Sequence, residues 1–161
     1  DAAIAAARKA CLADGLQLLD DTVSITSLKP ARDNDGRLLL QRRDDIPGLI
    51  YAGLVGLFGG HREGTETSLE CLQREILEET GQTIAAERCE PLVQFSVRYP
   101  LGGGVKGEFF IVRDVPADAL VVTEGTLLAV EPSRLPALLP EMTPSACYVA
   151  RLFLELGKTT R

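Results

Sequence analysis

The chain has 161 residues, 45 % of them hydrophobic and 25 % charged, a mixture that suits one globular domain and excludes a disordered tail. Lys and Arg number 17 against 23 Asp and Glu, for a net charge of -6, so the chain has no global field for gripping nucleic acid or an anionic membrane. The four Cys stand at positions 11, 71, 89 and 147 with no close pair, which argues against a zinc knuckle or a redox pair and for buried reduced thiols.

Residues 1–12 read as a short helix of good helix formers, broken at Asp14-Gly15. Arg8 and Lys9 lie inside its apolar run and not ahead of it, unlike a secretory signal. No stretch reaches the roughly 18 apolar residues of a spanning helix. The expectation is therefore a cytoplasmic protein; the start at Asp1 instead of Met leaves room for residues upstream. Residues 23–28 (VSITSL) are rich in β-branched residues and predict a strand. The turn signal at 33–36 (DNDG) and a second strand at 37–41 predict a hairpin. The glycine-punctuated stretch 46–60 holds a short strand at 54–57.

Residues 67–80 predict a helix on three counts. Thr67 and Glu70 have the spacing of a capping box. Leu69, Leu72 and Ile76 fall on one face. Gly81 is placed to end the helix. Strands follow at 92–98 and 108–112 around a loop centred on Gly102-Gly103-Gly104, then at 126–130. Residues 133–139 can form one helical turn, limited by Pro136. Thr143-Pro144 opens a closing helix that runs to about residue 156. Mixed strands with one internal and one closing helix predict an α/β or α+β fold.

The chemistry lies in residues 60–82, GHREGTETSLECLQREILEETGQ. Glu75, Glu78 and Glu79 stand at i, i+3 and i+4, within an arc of roughly 100°. Three carboxylates on one helical turn repel each other, and Arg74 offsets only part of that. A divalent cation with a preference for oxygen ligands is the natural partner. The Gly59-Gly60 pair permits close backbone approach, so a main-chain carbonyl there can add an oxygen ligand. Glu66 can pair with Arg74 and fix the loop to the helix.

This segment resembles the signature of the Nudix hydrolases, G-x5-E-x7-R-E-U-x-E-E-x-G-U with U apolar. It reads Gly60, Glu66, Arg74, Glu75, Ile76, Glu78, Glu79 and Gly81, with Gln82 where an apolar residue is usual. Eight of nine positions match, which makes the motif far more specific than a lone glycine-rich loop. Phe58 is a second departure, since Pro is common there. The strand at 38–43, the Glu124-Gly125 pair and the Thr143-Pro144 helix start resemble the wider Nudix layout.

The resemblance implies a single Nudix domain over residues 1–161, with a helical extension at 1–14 and the motif at 60–82. It implies an α/β/α sandwich with a mixed central sheet. The implied activity is a Mg²⁺- or Mn²⁺-dependent pyrophosphohydrolase acting on a nucleoside diphosphate linked to another moiety. By the same resemblance Glu75 and Glu79 are the main metal ligands, Glu78 is a further ligand or the base, and the Gly60 carbonyl joins them. Glu124 resembles a late loop acid that binds metal or acts as base in some members, with Glu108 a weaker candidate. Glu75 and Glu78 are the candidate catalytic pair. Arg42, Arg43, Phe58 and Arg98 are weaker candidates for substrate contact; strand alternation lets at most one of Arg42 and Arg43 face a substrate.

Bland readings stand beside these. An acidic helix face is ordinarily solvated surface, and it is the full motif in register that reverses the balance. His61 is the only His, which leaves no His-based metal site. Cys71 reads as a small buried side chain and not a nucleophile. The expected partner is a small nucleotide, with no nucleic acid or membrane; a homodimer is compatible with the Ala-rich start. Two alternatives remain open: a Nudix-fold module that senses a nucleotide without cleaving it, and an isomerase of isoprenoid diphosphates on the same fold.

Overall fold

The central strand of one sheet is the apolar run 38–42. The computed structural model describes residues 36–98 and 104–159 together with residues 2, 5–7, 9, 24 and 25. Its strands are β1 (Ser24–Ile25), β2 (Leu38–Arg42), β3 (Val55–Gly56), β4 (Cys89–Arg98), β5 (Gly104–Val112) and β6 (Thr126–Val130). Its α-helices are α1 (Ser68–Thr80), α2 (Leu135–Leu138) and α3 (Pro144–Thr159). The chain divides into two compact units.

One unit comprises residues 31–89 and 112–143. Here β2 lies between β3 and β6 in a three-stranded sheet. Both pairings are antiparallel, with Gln41 opposite Gly56 and Leu38 opposite Val130. Flanked on both edges, β2 buries Leu40 and Gln41 on successive residues and so on both faces. Val55 is fully buried; it forms a parallel bridge with Met142, and its carbonyl accepts from Thr143 N at 2.8 Å. Helix α1 belongs to this unit.

The other unit comprises residues 1–30, 90–111 and 144–161. Strand β4 lies between β1 and β5, with Ser24 opposite Gln94 in an antiparallel pair. Leu92, Val93 and Phe95 are buried. Phe95 stacks on Phe109 at 4.6 Å between centroids and meets Tyr148 at 4.5 Å in a tilted contact. Helix α3 adds Ala146, Ala150 and Phe153, spaced four and three apart, with Leu152 and Leu156, four apart, beside them. Residues 2, 5–7 and 9 are helical, and Ala7 is buried.

The mixed α and β content is as expected, but the strands form two three-stranded sheets instead of one. Among the described residues the hairpin expected between residues 23–28 and 37–41 is not seen: Ser24 and Ile25 pair with β4, while β2 pairs with β6 along its length and with β3 at Gln41 and Arg42. The turn at 33–35 lies outside the described residues. The stretch 132–141 is a 3-10 turn, a helical turn and a second 3-10 turn, longer than the single turn expected. Helix α3 runs three residues past the predicted end. No helix among the described residues is long and apolar enough to cross a membrane.

Candidate active site

Helix α1 starts and stops on local signals. Thr67 Oγ1 accepts from Glu70 N at 3.2 Å, and Glu70 Oε2 accepts from Thr67 N at 2.7 Å, closing the capping box. Gly81 ends the helix at φ 70°, and its N–H reaches the Leu77 carbonyl at 2.9 Å. Beyond it Gln82 does not behave as an apolar residue; its amide donates to Ala119 O at 3.0 Å. The loop before β6 closes the same end. Val121 N donates to Thr80 O at 3.1 Å and Thr123 N to Glu79 O at 2.9 Å. Thr123 Oγ1 donates to Glu78 O at 3.1 Å.

Arg74 is the hub of the site. Its guanidinium donates through Nε to Glu66 Oε2 at 3.1 Å and through Nη2 to Glu66 Oε1 at 2.8 Å, a two-pronged ion pair. Nη2 also donates to His61 O at 2.9 Å. Nη1 donates to Glu75 Oε1 at 2.8 Å and to Glu78 Oε2 at 3.3 Å. Arg74, with the N–H of Glu63, holds the Glu66 carboxyl down at about 2. Glu66 and Glu75 in turn raise the Arg74 pKa, so its charge is permanent. One arginine thus ties the 60–66 loop to α1 and touches two of the three motif acids.

Those acids occupy three environments. Glu79 is buried at 8 % exposure, the Glu75 side chain is 17 % exposed and the Glu78 side chain 60 %. The sequence pattern puts them on one side of the helix, apart from the apolar stripe. Instead Glu79 shares the packed face with Cys71, Ile76 and Thr80, while Leu69 and Leu72 are only half-buried. Burial pushes Glu79 up to about 7. The negative charges of Glu75 and Glu124 push the same way. The N–H of Gly59, 3.0 Å from Glu79 Oε2, opposes them, as does a hydrogen bond from Gln41.

Gly60 lies against Glu75. A methyl group at position 60 would meet the Glu75 carboxylate and force that side chain to move. The Gly60 carbonyl faces Cys71 Sγ at 3.7 Å. The Cys71 thiol is pushed up to about 11, first by burial and then by Glu66, and is inert as a nucleophile at neutral pH.

Among the described residues no group of three or more His, Cys, Asp and Glu side chains is gathered to hold a metal ion. The expected crowd of carboxylates is drawn apart: Arg74 takes Glu75 and Glu78, and Gly59 N takes Glu79. The donor set nonetheless suits a hard divalent cation. All its side chains are carboxylates, Gly60 leaves space at Glu75, and Glu79 feels the excess negative charge of Glu75 and Glu124.

The remaining candidates are placed as follows. Glu124 is exposed on the turn before β6. Arg42 donates to Gly53 O at 3.0 Å and pairs with Glu141 at 2.8 Å; Arg43 Nε donates to Ile50 O at 3.2 Å. Both arginines therefore brace the 44–54 loop. Phe58 is half-buried, and Glu108 is exposed on β5. The side chain of Arg98 lies outside the described residues. Sequence reasoning missed Gln41, Thr123 and Asp44. A polar residue inside the apolar run LLLQR is the one signal that marks Gln41.

The family profile described as NUDIX domain matches residues 26–134. The chain belongs to the Nudix family. A second profile, described as Protein of unknown function (DUF3301), matches residues 1–43. Among solved structures, this Nudix chain resembles the MutT protein from Methanosarcina mazei Go1, at 23 % identity and a TM-score of 0.64, over 82 % of this chain and 91 % of that one. It also resembles the Nudix hydrolase RenU from M. smegmatis, at 20 % identity and a TM-score of 0.58, over 81 % and 82 % respectively. At these identities the likeness establishes a shared fold. No curated protein matches the chain.

Proposed function

We propose that this Nudix chain is a divalent-metal-dependent enzyme that cleaves the diphosphate bond of a nucleoside diphosphate linked to another moiety. A nucleoside triphosphate, a nucleotide sugar and a dinucleotide all meet that description. The observation that carries the reading is Glu79. It is a buried carboxyl in the field of Glu75 and Glu124, and Arg74 alone does not offset that charge.

Glu75, Glu78, Glu79, Glu124 and the Gly60 carbonyl would hold Mg²⁺ or Mn²⁺. When bound, the ion supplies charge neutralisation at the diphosphate and a more acidic water. Glu78, with a side chain 60 % exposed against 17 % for Glu75, would serve as the general base, with Glu75 beside it. Arg74 restrains Glu75 and is itself held by Glu66 and the His61 carbonyl. It can release Glu75 and Glu78 without leaving the loop.

The second reading is a nucleotide sensor that does not cleave. What favours it is that Arg74 already pairs with two of the acids. The test is a nucleotide panel incubated with the full chain, with and without Mg²⁺, scored for phosphate, pyrophosphate and mononucleotide. Metal-dependent release of a mononucleotide is the expected result. Binding without release from any diphosphate would establish the sensor instead.

A further inference from the structure

We propose that Gln41 is a positioning residue for the candidate metal site, its side-chain amide fastening the turn that presents Glu124 to the central strand β2. The inference rests on the metal-dependent reading above. Gln41 sits in the central strand β2 at 5 % exposure, beside Leu40, the other buried residue of the strand. A buried amide is costly unless its donors and acceptor are paired, so an apolar side chain is the ordinary occupant. Here Nε2 donates to Glu124 O at 2.8 Å. One buried amide on the central strand therefore holds the backbone of an acid 83 positions further on.

The rest of the turn is built to keep that link rigid. Gly125 adopts φ 70°, and its Cα is pressed so close to the Arg42 carbonyl that no side chain fits. Gly125 N donates to Asp44 Oδ2 at 3.1 Å. Thr123 is bonded to the Glu78 and Glu79 carbonyls. Residues 123–125 are thus held by β2, by the loop after β2 and by the end of α1. Glu124 itself remains exposed. A second layer that orients ligands in this way is commonly worth about 10- to 100-fold in metal affinity.

The experiment titrates Mn²⁺ alone into the full chain and reads free Mn²⁺ by electron paramagnetic resonance. The chains compared are wild type, Gln41→Met, Glu124→Gln and the double variant. Met keeps the volume and removes the donor. Gln41→Met is expected to weaken Mn²⁺ binding about tenfold, with the metal-free Tm moved by less than about 5 °C. Because Gln41 acts through Glu124, the double variant should bind little worse than Glu124→Gln. Wild-type affinity in Gln41→Met, or losses that multiply in the double variant, would overturn the proposal. If Gln41→Met does not fold, Gln41→Asn withdraws the amide by one methylene and should show the same loss. A wild-type chain that binds no Mn²⁺, or a Glu75→Gln chain that binds it unchanged, removes the metal reading itself and this inference with it.

Discussion

Helices α1 and α3 are of similar length, 13 and 16 residues, yet they are held in place by opposite means. Helix α3 buries Ala146, Tyr148, Ala150, Leu152, Phe153 and Leu156. Helix α1 buries four residues, and two of them are Glu79 and Thr80. Its position is set at its flanks instead. The capping box and Arg74 fix one end, and Gly81, Thr123 and the 119–123 backbone fix the other. The loops that replace packing for α1 are the same loops that carry Gly60 and Glu124. Local departures from good packing of this kind are expected where a site is built.

The comparison breaks most decisively at Glu75. Glu75→Gln keeps the shape but removes a negative charge and weakens the contact with Arg74. Activity should fall about 10³-fold, equivalent to roughly 4 kcal/mol in the barrier. The urea midpoint should barely move. Steady-state kinetics with the best nucleotide from the panel decides it. Activity near that of wild type, particularly in the Glu75→Gln, Glu78→Gln double variant, would mean that α1 is only a polar surface helix.

The next largest effect lies in α3. Leu152 is fully buried, so Leu152→Ala should cost about 2–5 kcal/mol through lost burial and the cavity it leaves. Leu77 on α1 is 48 % exposed, and Leu77→Ala should stay within about 0.5 kcal/mol. Equal losses in urea denaturation would show that both helices depend on packing alike.

Glu79 sharpens the contrast through pH. Its carboxyl titrates near 4.5 in an unfolded chain and is pushed up to about 7 in the folded one. Between those values the folded chain holds the extra proton, so stability falls as pH rises. This group's contribution is fully present below about 4.5 and is lost by the time pH has passed about 7. In metal-free solution Glu79→Gln should therefore gain on wild type across that window and exceed it above pH 7. Mn²⁺ should raise the wild-type midpoint most at the alkaline end, where no proton competes for the carboxylate. A difference between the two chains that stays flat with pH would remove the cost assigned to Glu79.

What the sequence made legible was local. Thr67, Glu70 and Gly81 bound α1 to within a residue because capping depends on neighbours three or four positions away. The strand at 126–130 was legible from its apolar run for the same reason. The partner of β1 was not, since choosing β4 over β2 is a matter of chain positions some 70 apart. Nor was the split among the motif acids. Periodicity groups Glu75, Glu78 and Glu79 on an isolated helix, and only the packing around Ile76 and Thr80 buries one of them and leaves another open. Arg42 and Arg43 were legible as strand-end cations, but the 44–54 loop that occupies them was not. Gln41 carried a signal, a polar residue among leucines, that has meaning only once Glu124 is beside it.

The smallest expected effect concerns Gln82, the departure from the family pattern. An apolar residue there would be expected to pack beneath the end of α1. In this chain the amide bonds the Ala119 carbonyl at 3.0 Å, in an exposed contact. An exposed neutral hydrogen bond contributes about 0.5–1 kcal/mol at most, and a leucine would recover a similar amount by covering apolar surface. Gln82→Leu should therefore change stability by less than about 0.5 kcal/mol and leave kcat unaltered, because the C-terminal carbonyls of α1 keep their bonds to Val121 and Thr123. A large loss of kcat in this variant would mean that the 119–123 loop sets the position of Glu79 through Gln82, and that the polar fastening of α1 is tighter than its separate bonds suggest.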